Sequence, residues 1–273
     1  MPHLLLFGPG YVGQHLADTM QAAGWRVTPV RRATPAAEVH AALAEASHIL
    51  STVPPQDAVD PVLAAYGPGL AGAGRWLGYL SSTGVYGDAG GAWVDETAPL
   101  RGRRGGRVAA DQAWLALGAR VFRLPGIYGP GRSMLERVAE GRAHRIDLPH
   151  QVFSRIHRDD IVAGVRMAIA HGPPGAYNLA DEEPAAQNAV VEEACRLLGH
   201  APPPVLPLDG AGLSPMALAF YAENRRVAAG KARRLLGWQP LFPTYRAGLR
   251  ALMASARPAT ASAAPAAAAP LQR

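Results

Sequence analysis

Lysine is almost absent from this sequence: only Lys231 is a lysine, and the other 26 basic residues are arginines. Chemistry that needs a titratable amine near neutral pH therefore has one candidate, because a guanidinium keeps its proton. Cysteine is equally scarce. The single Cys195 excludes a disulfide framework and a cysteine-built zinc cluster, and makes a reducing cytoplasm the expected compartment. No apolar run approaches the ~20 residues that cross a bilayer, so no membrane partner is expected. The first residues, His3-Leu4-Leu5-Leu6-Phe7, read as a strand and not as a basic leader before an apolar stretch, so no signal peptide is expected. Gly-x-Ser-x-Gly, His-Glu-x-x-His and Gly-x-x-x-x-Gly-Lys patterns are also missing. Hydrolase, metalloprotease and ATPase readings lose their support with them, and no metal site is expected.

What is present is an ordinary globular composition, 273 residues with 49% hydrophobic and 18% charged side chains and a formal charge of +6. The arginines are spread along the chain without aromatic interleaving, so they read as solvated surface and phosphate contacts, and no nucleic-acid partner is expected. Short apolar runs (His3 to Gly8, Trp25 to Val30, His48 to Val53, Trp76 to Ser82, Arg120 to Pro125) alternate with helical patterns ending in glycine, such as Tyr11 to Gly24 and Arg107 to Gly118. That alternation predicts an α/β fold, a doubly wound Rossmann-type parallel sheet. Beyond Gly129 the pattern loosens into helices over Ser133 to Gly141, Asp159 to His171 and Gln187 to Leu198 and strands over Gln151 to Ile156 and Ala176 to Leu179. A small interleaved C-terminal substrate lobe is expected, mainly from 129–155 and 177–255, within one domain of residues 1–255. Residues 256–273 are Ala/Pro-rich and read as a disordered tail.

Between the first strand and first helix stands Gly8-Pro9-Gly10-Tyr11-Val12-Gly13. With 30 glycines in the chain, Gly-x-Gly-x-x-Gly alone is weak, but its position between strand and helix is what dinucleotide binding requires. Gly8 permits the tight turn, Gly10 lets the backbone approach a pyrophosphate, Gly13 allows close helix-strand packing, and the helix N-terminus offers free N–H groups to the anion. The second strand ends in Val30-Arg31-Arg32. With no acidic residue there to bond a ribose hydroxyl, NADP is favoured over NAD.

Leu80-Ser81-Ser82-Thr83-Gly84-Val85-Tyr86-Gly87-Asp88 resembles the extended short-chain dehydrogenase/reductase superfamily, the NAD-dependent epimerase/dehydratase group. So do Asp95-Glu96-Thr97-Ala98-Pro99, Arg123 to Gly131, Arg155 to Ile161 and Tyr177 to Pro184, in the family's order. The resemblance implies that Thr52, Val53, Ser81, Arg107, Leu124 and Pro125 join Gly8, Gly10, Tyr11, Val12, Gly13, Arg31 and Arg32 in binding the cofactor. It puts the Ser/Thr that holds the substrate oxygen at Ser82, with Thr83 adjacent. A homodimer through two helices is common in the superfamily. The His157-Arg158-Asp159-Asp160 segment is a structural turn in the family, with Asp159 or Asp160 expected as the helix N-cap.

The family's Tyr-x-x-x-Lys pair is missing. The alignment puts Arg103 at the tyrosine and Arg107 at the lysine, while Val227 stands four residues before Lys231. The pattern matches atypical members that keep the glycine loop and lack most active-site residues. Tyr86 and Tyr128 are the loop phenols at the strand ends, Tyr86 the catalytic candidate and Tyr128 a substrate contact, and Arg225 and Arg226 are candidate clamps for an anionic group. Two functions follow: an NADP(H)-dependent oxidoreductase or epimerase on a sugar-like or other hydroxyl/carbonyl small molecule, or a catalytically inactive NADP(H)-sensing protein that acts through a protein partner.

Overall fold

The computed structural model describes residues 1–70, 74–213 and 215–256; the tail read as disordered lies, past its first residue, outside the described residues. The chain runs β1 (His3–Phe7), α1 (Tyr11–Ala22), β2 (Arg26–Val30), α2 (Ala36–Glu45), β3 (His48–Ser51), α3 (Pro61–Leu70), β4 (Trp76–Ser82). It continues with β5 (Trp93–Val94), α4 (Gly105–Ala116), β6 (Arg120–Leu124), β7 (Gly126–Tyr128), α5 (Met134–Ala139), β8 (Arg145–Ile146) and β9 (Arg155–His157). Then follow α6 (Arg158–His171), β10 (Gly175–Asn178), α7 (Gln187–Leu198), β11 (Val205–Leu206), α8 (Pro215–Tyr221), β12 (Arg226–Val227), α9 (Gly230–Leu236) and α10 (Tyr245–Ala256).

Six strands form one parallel sheet in the order β10-β6-β4-β3-β1-β2. Its inner strand β1 reads as a continuous apolar run because both faces are covered, whereas the edge strand β2 carries Arg26 and Thr28 and is largely open. Along β1, Leu4 and Leu6 enter the core beneath α1 and α6 with Leu16, Met20 and Val165, whereas Leu5 and Phe7 enter the opposite core with Val39, Leu43 and Trp114. The order reverses at β1, with β2 on one side and β3 on the other, so the carboxyl ends of β1 and β3 flank a topological switch point where such sheets bind ligands. A third apolar cluster, Tyr128, Met134, Leu135, Val190, Val191 and Leu249, joins α5, α7 and α10. No described helix is long and apolar enough to cross a membrane.

Two local expectations change. Of the Gln151 to Ile156 run only Arg155 and Ile156 are in a strand, β9 (Arg155–His157); Phe153 instead makes isolated bridges to Ala185 and Arg225 on two different segments. The N-cap of α6 is His157, whose Nδ1 accepts from the Asp159 N–H at 3.2 Å. Burial pushes this imidazole down to about 4, so it is neutral and keeps an accepting lone pair. Asp160 is turned the other way and accepts from the Phe242 N–H at 3.2 Å. Its backbone carbonyl accepts from Trp238 Nε1 at 3.0 Å.

Asp181, just beyond β10, is buried with both carboxyl oxygens lacking a hydrogen-bond partner. Burial pushes its carboxyl from the ordinary 3.8 up to about 8, against the pull of Arg155. The folded chain therefore keeps a proton that the unfolded chain has lost. Stability is fully present below the unfolded value of 3.8 and is lost as pH rises through about 8. Asp181→Asn is expected to flatten this slope and to raise the urea midpoint near about pH 8 more than near about pH 5. An unchanged slope would contradict the neutral carboxyl.

Candidate functional site

At the end of β1 the chain turns through Gly8 at φ +73, with its N–H donating to the Val30 carbonyl at 3.0 Å. A Cβ on Gly8 would lie 2.6 Å from Val53 Cγ2, and one on Gly13 would meet the Gly8 carbonyl at 3.2 Å and Thr52 Cγ2 at 3.3 Å. These two glycines let α1 close onto β1 and β3. Thr52 locks the turn, its hydroxyl donating to the Gly8 carbonyl. Gly10 differs: a Cβ there would meet only the Gly8 carbonyl, at 3.9 Å. It is the N-cap of α1, with φ −83 and no side chain to close the first turn.

The loop forms one end of a cleft of about 1370 Å³ along the carboxyl edge of the sheet. Gly8 to Gly13, Arg31, Arg32, Thr52, Val53, Ser81, Ser82, Thr83, Arg107, Leu124, Pro125 and Arg225 all line it. The parallel register explains the gathering, since Phe7 pairs with Ser51 and Ser82 with Leu124, which brings the residues after these strands to one edge. Arg31 donates to Gln14 Oε1 at 3.1 Å, which keeps its guanidinium beside the first helix.

Several nominated residues lie elsewhere or face away. Ser81 lines the cleft, but its hydroxyl donates to Asp111 Oδ2 at 2.7 Å in the interior. Tyr86 is corrected as a catalytic candidate. Its phenol is buried, donates to Asn178 Oδ1 at 2.7 Å and accepts from Arg123 Nη1 at 3.0 Å, and burial pushes it up to about 12. Tyr128 does not line the cleft; it lines a side cavity of about 540 Å³, and a Cβ on Gly248 would meet its hydroxyl at 2.1 Å. Arg226 is also outside the cleft, its Nη1 donating to the Gly91 carbonyl where β12 pairs with β5. Ser82 keeps its role open: its oxygen accepts from the Gly84 N–H at 3.1 Å, leaving the O–H to donate into the cleft.

Sequence reasoning named Arg225 of one cleft wall but missed Phe153, Phe220, Glu223 and the part played by Arg103. Arg103 lies ahead of α4, so it and Arg107 do not share a helical face, and its guanidinium reaches the Ala219 carbonyl at 2.7 Å and Glu223 Oε1 at 3.1 Å. Arg225 Nη1 holds Glu223 Oε2 at 2.6 Å and the Gly87 carbonyl at 2.7 Å. Phe153 and Phe220 stack with centroids 4.5 Å apart where cleft and side cavity meet. Among the described residues, seven arginines line the cleft and Glu223 is its one carboxylate. Arg103 and Arg104 belong to the basic Arg101 to Arg107 run, a visible signal; nothing in the sequence marked Phe220. Among the described residues, no group of three or more His, Cys, Asp or Glu side chains is placed to hold a metal ion.

No protein-family model matches the chain. A solved conserved protein of unknown function from Silicibacter pomeroyi DSS is 41% identical, with 94% of this chain and 100% of that one covered at a TM-score of 0.85. A human epimerase family protein solved with NADPH has a TM-score of 0.74 at 19% identity, covering 92% of this chain and 99% of that one, a likeness of fold. A curated 3-diazoavenalumate denitrifying reductase from a Streptomyces species is 31% identical over 140 residues, which span 47% of this chain and 45% of the reductase.

Proposed function

We propose that this chain, which belongs to one family with the Silicibacter pomeroyi protein and shares the Rossmann-type fold of epimerases, is an NADP(H)-dependent oxidoreductase or epimerase-type enzyme. The observation that carries the reading is the single cleft joining the Gly8 to Gly13 loop, Arg31 and Arg32, and the Ser82-Thr83 strand end. The residues fit such a cofactor, because the loop is packed tightly where protein meets protein at Gly8 and Gly13 and left open at Gly10. The N-terminus of α1 would hold the pyrophosphate, Arg31 and Arg32 the 2′-phosphate, and Leu124 and Pro125 the far end. Bound there, the nicotinamide would supply or take up hydride.

Ser82 donates its hydroxyl to the reacting oxygen of a hydroxyl- or carbonyl-bearing small molecule, and Thr83 shapes the floor. The arginines hold charge but cannot relay a proton. The relatives are consistent with turnover: one is a reductase and another an epimerase family protein with NADPH. A second reading, a cofactor sensor without turnover, draws support from Arg103 and Arg107 at the positions of the dyad and from the burial of Tyr86.

Calorimetry with NADPH and NADH, followed by the absorbance of the reduced cofactor against carbonyl substrates, separates the readings. Tight binding with oxidation supports the enzyme; tight binding without it across the panel supports the sensor. Converting Arg31 and Arg32 together to alanine is expected to weaken NADPH about tenfold or more while sparing NADH, by loss of charge-assisted bonds to the 2′-phosphate. Equal losses for both cofactors would remove the NADP preference.

A further inference from the structure

We propose that the small-lobe wall of the cleft is a subsite for a planar aromatic carboxylate, and that Glu223 occupies the place of that carboxylate when the ligand is away. The inference rests on the cleft being the ligand site argued above. Glu223 offers one oxygen to each of two arginines, Oε1 to Arg103 Nε at 3.1 Å and Oε2 to Arg225 Nη1 at 2.6 Å. The arginines come from two distant segments of that one wall, Arg103 from the loop before α4 and Arg225 from the segment before β12. A carboxylate between two guanidinium groups shows what the pair is built to bind: a planar anion with two oxygens.

Beside this pair lies an aromatic surface. Phe153 is bridged to Arg225 along the backbone, and Phe220 follows Ala219, whose carbonyl Arg103 also holds. Phe153 is buried at 7% exposure and supports Phe220, which is 51% exposed and offers its outer face. A large apolar ring left this open next to two arginines suits the flat face of an aromatic ligand whose acid group reaches the guanidinium groups. The other arginines of the cleft disfavour a cation, and Glu223, the one carboxylate among its described residues, is already held by Arg103 and Arg225.

The wall makes two demands on a ligand. It must present a negative group that competes with Glu223, and a ring that stacks on Phe220. Removing the internal competitor therefore strengthens binding, the opposite of what a contact residue does. Glu223→Gln keeps the shape of the side chain and gives up its charge.

The test is calorimetric titration of the full chain, with and without NADPH, using trans-cinnamate and its neutral amide as probes. The expected results are cinnamate binding with little or no binding of the amide, about fivefold or tighter binding of cinnamate by Glu223→Gln, and about threefold to tenfold weaker binding by Phe220→Ala. Phe220 is exposed, so its replacement leaves the core intact. Equal binding of acid and amide, or unchanged or weaker binding by Glu223→Gln, overturns the proposal. Arg225→Gln adds a second check, since a loss of NADPH affinity in place of cinnamate affinity would assign the arginine to the cofactor and overturn the subsite. Cinnamate binding with these responses but no NADPH binding would instead defeat the cofactor reading alone.

Discussion

Asp111→Ala is expected to lower the free energy of unfolding by about 3–5 kcal/mol, the cost of breaking one partner out of a buried ion pair. Asp111 is fully buried and Arg123 is 3% exposed. The pair is bidentate, Nη2 to Oδ1 at 2.7 Å and Nε to Oδ2 at 3.1 Å. Ser81 and Tyr86 complete the network, with Ser81 donating to Asp111 and Tyr86 accepting from Arg123. Without Asp111 the guanidinium remains between β6 and α4 with no counter-charge. Denaturant unfolding measures the loss, and a change below about 1 kcal/mol would mean that water reaches Arg123. The double change Asp111→Leu with Arg123→Met is expected to recover much of the stability, because it removes both charges together.

Gly10→Ala is expected to separate binding from folding. Its φ of −83 suits any residue, and the added Cβ has only the Gly8 carbonyl near it, at 3.9 Å. The cost in stability should stay within about 1 kcal/mol, as for an N-cap change from glycine to alanine. The methyl would occupy space left for the pyrophosphate, so NADPH affinity should fall about tenfold or more. Gly8→Ala is expected to damage both, since φ +73 disfavours a side chain and Val53 Cγ2 stands 2.6 Å from the new atom. The pair is read by thermal unfolding beside calorimetric titration. If Gly10→Ala bound NADPH as the parent does, the phosphate-loop assignment would fail.

Legibility in the sequence followed the range of the forces involved. The parallel sheet was readable because its inner strands are covered on both faces and so are mostly apolar, and the helices because their apolar residues recur at helical spacing. Gly8 and Gly13 were readable because close backbone approach leaves few alternatives to glycine. The orientation of polar side chains was not. Tyr86 stands four residues after Ser82, in the turn that follows β4, yet a buried Arg123 and Asn178 take its phenol inward. His157 displaces the adjacent aspartates as N-cap because burial leaves it neutral, while Asp160 is drawn to the Leu241 and Phe242 amides about 80 residues further on.

The sequence by itself determined the α/β architecture, the glycine cradle and the absence of a Tyr-x-x-x-Lys pair, since each depends on local pattern or on composition. Only the tertiary structure decided that Arg103, Phe153, Phe220, Glu223 and Arg225 form one wall. They come from segments up to 122 positions apart. Their meeting depends on the Phe153 to Arg225 bridge and on the reach of Arg103 to Ala219. Those are contacts between irregular segments, where no periodicity in the chain records which residues will face each other.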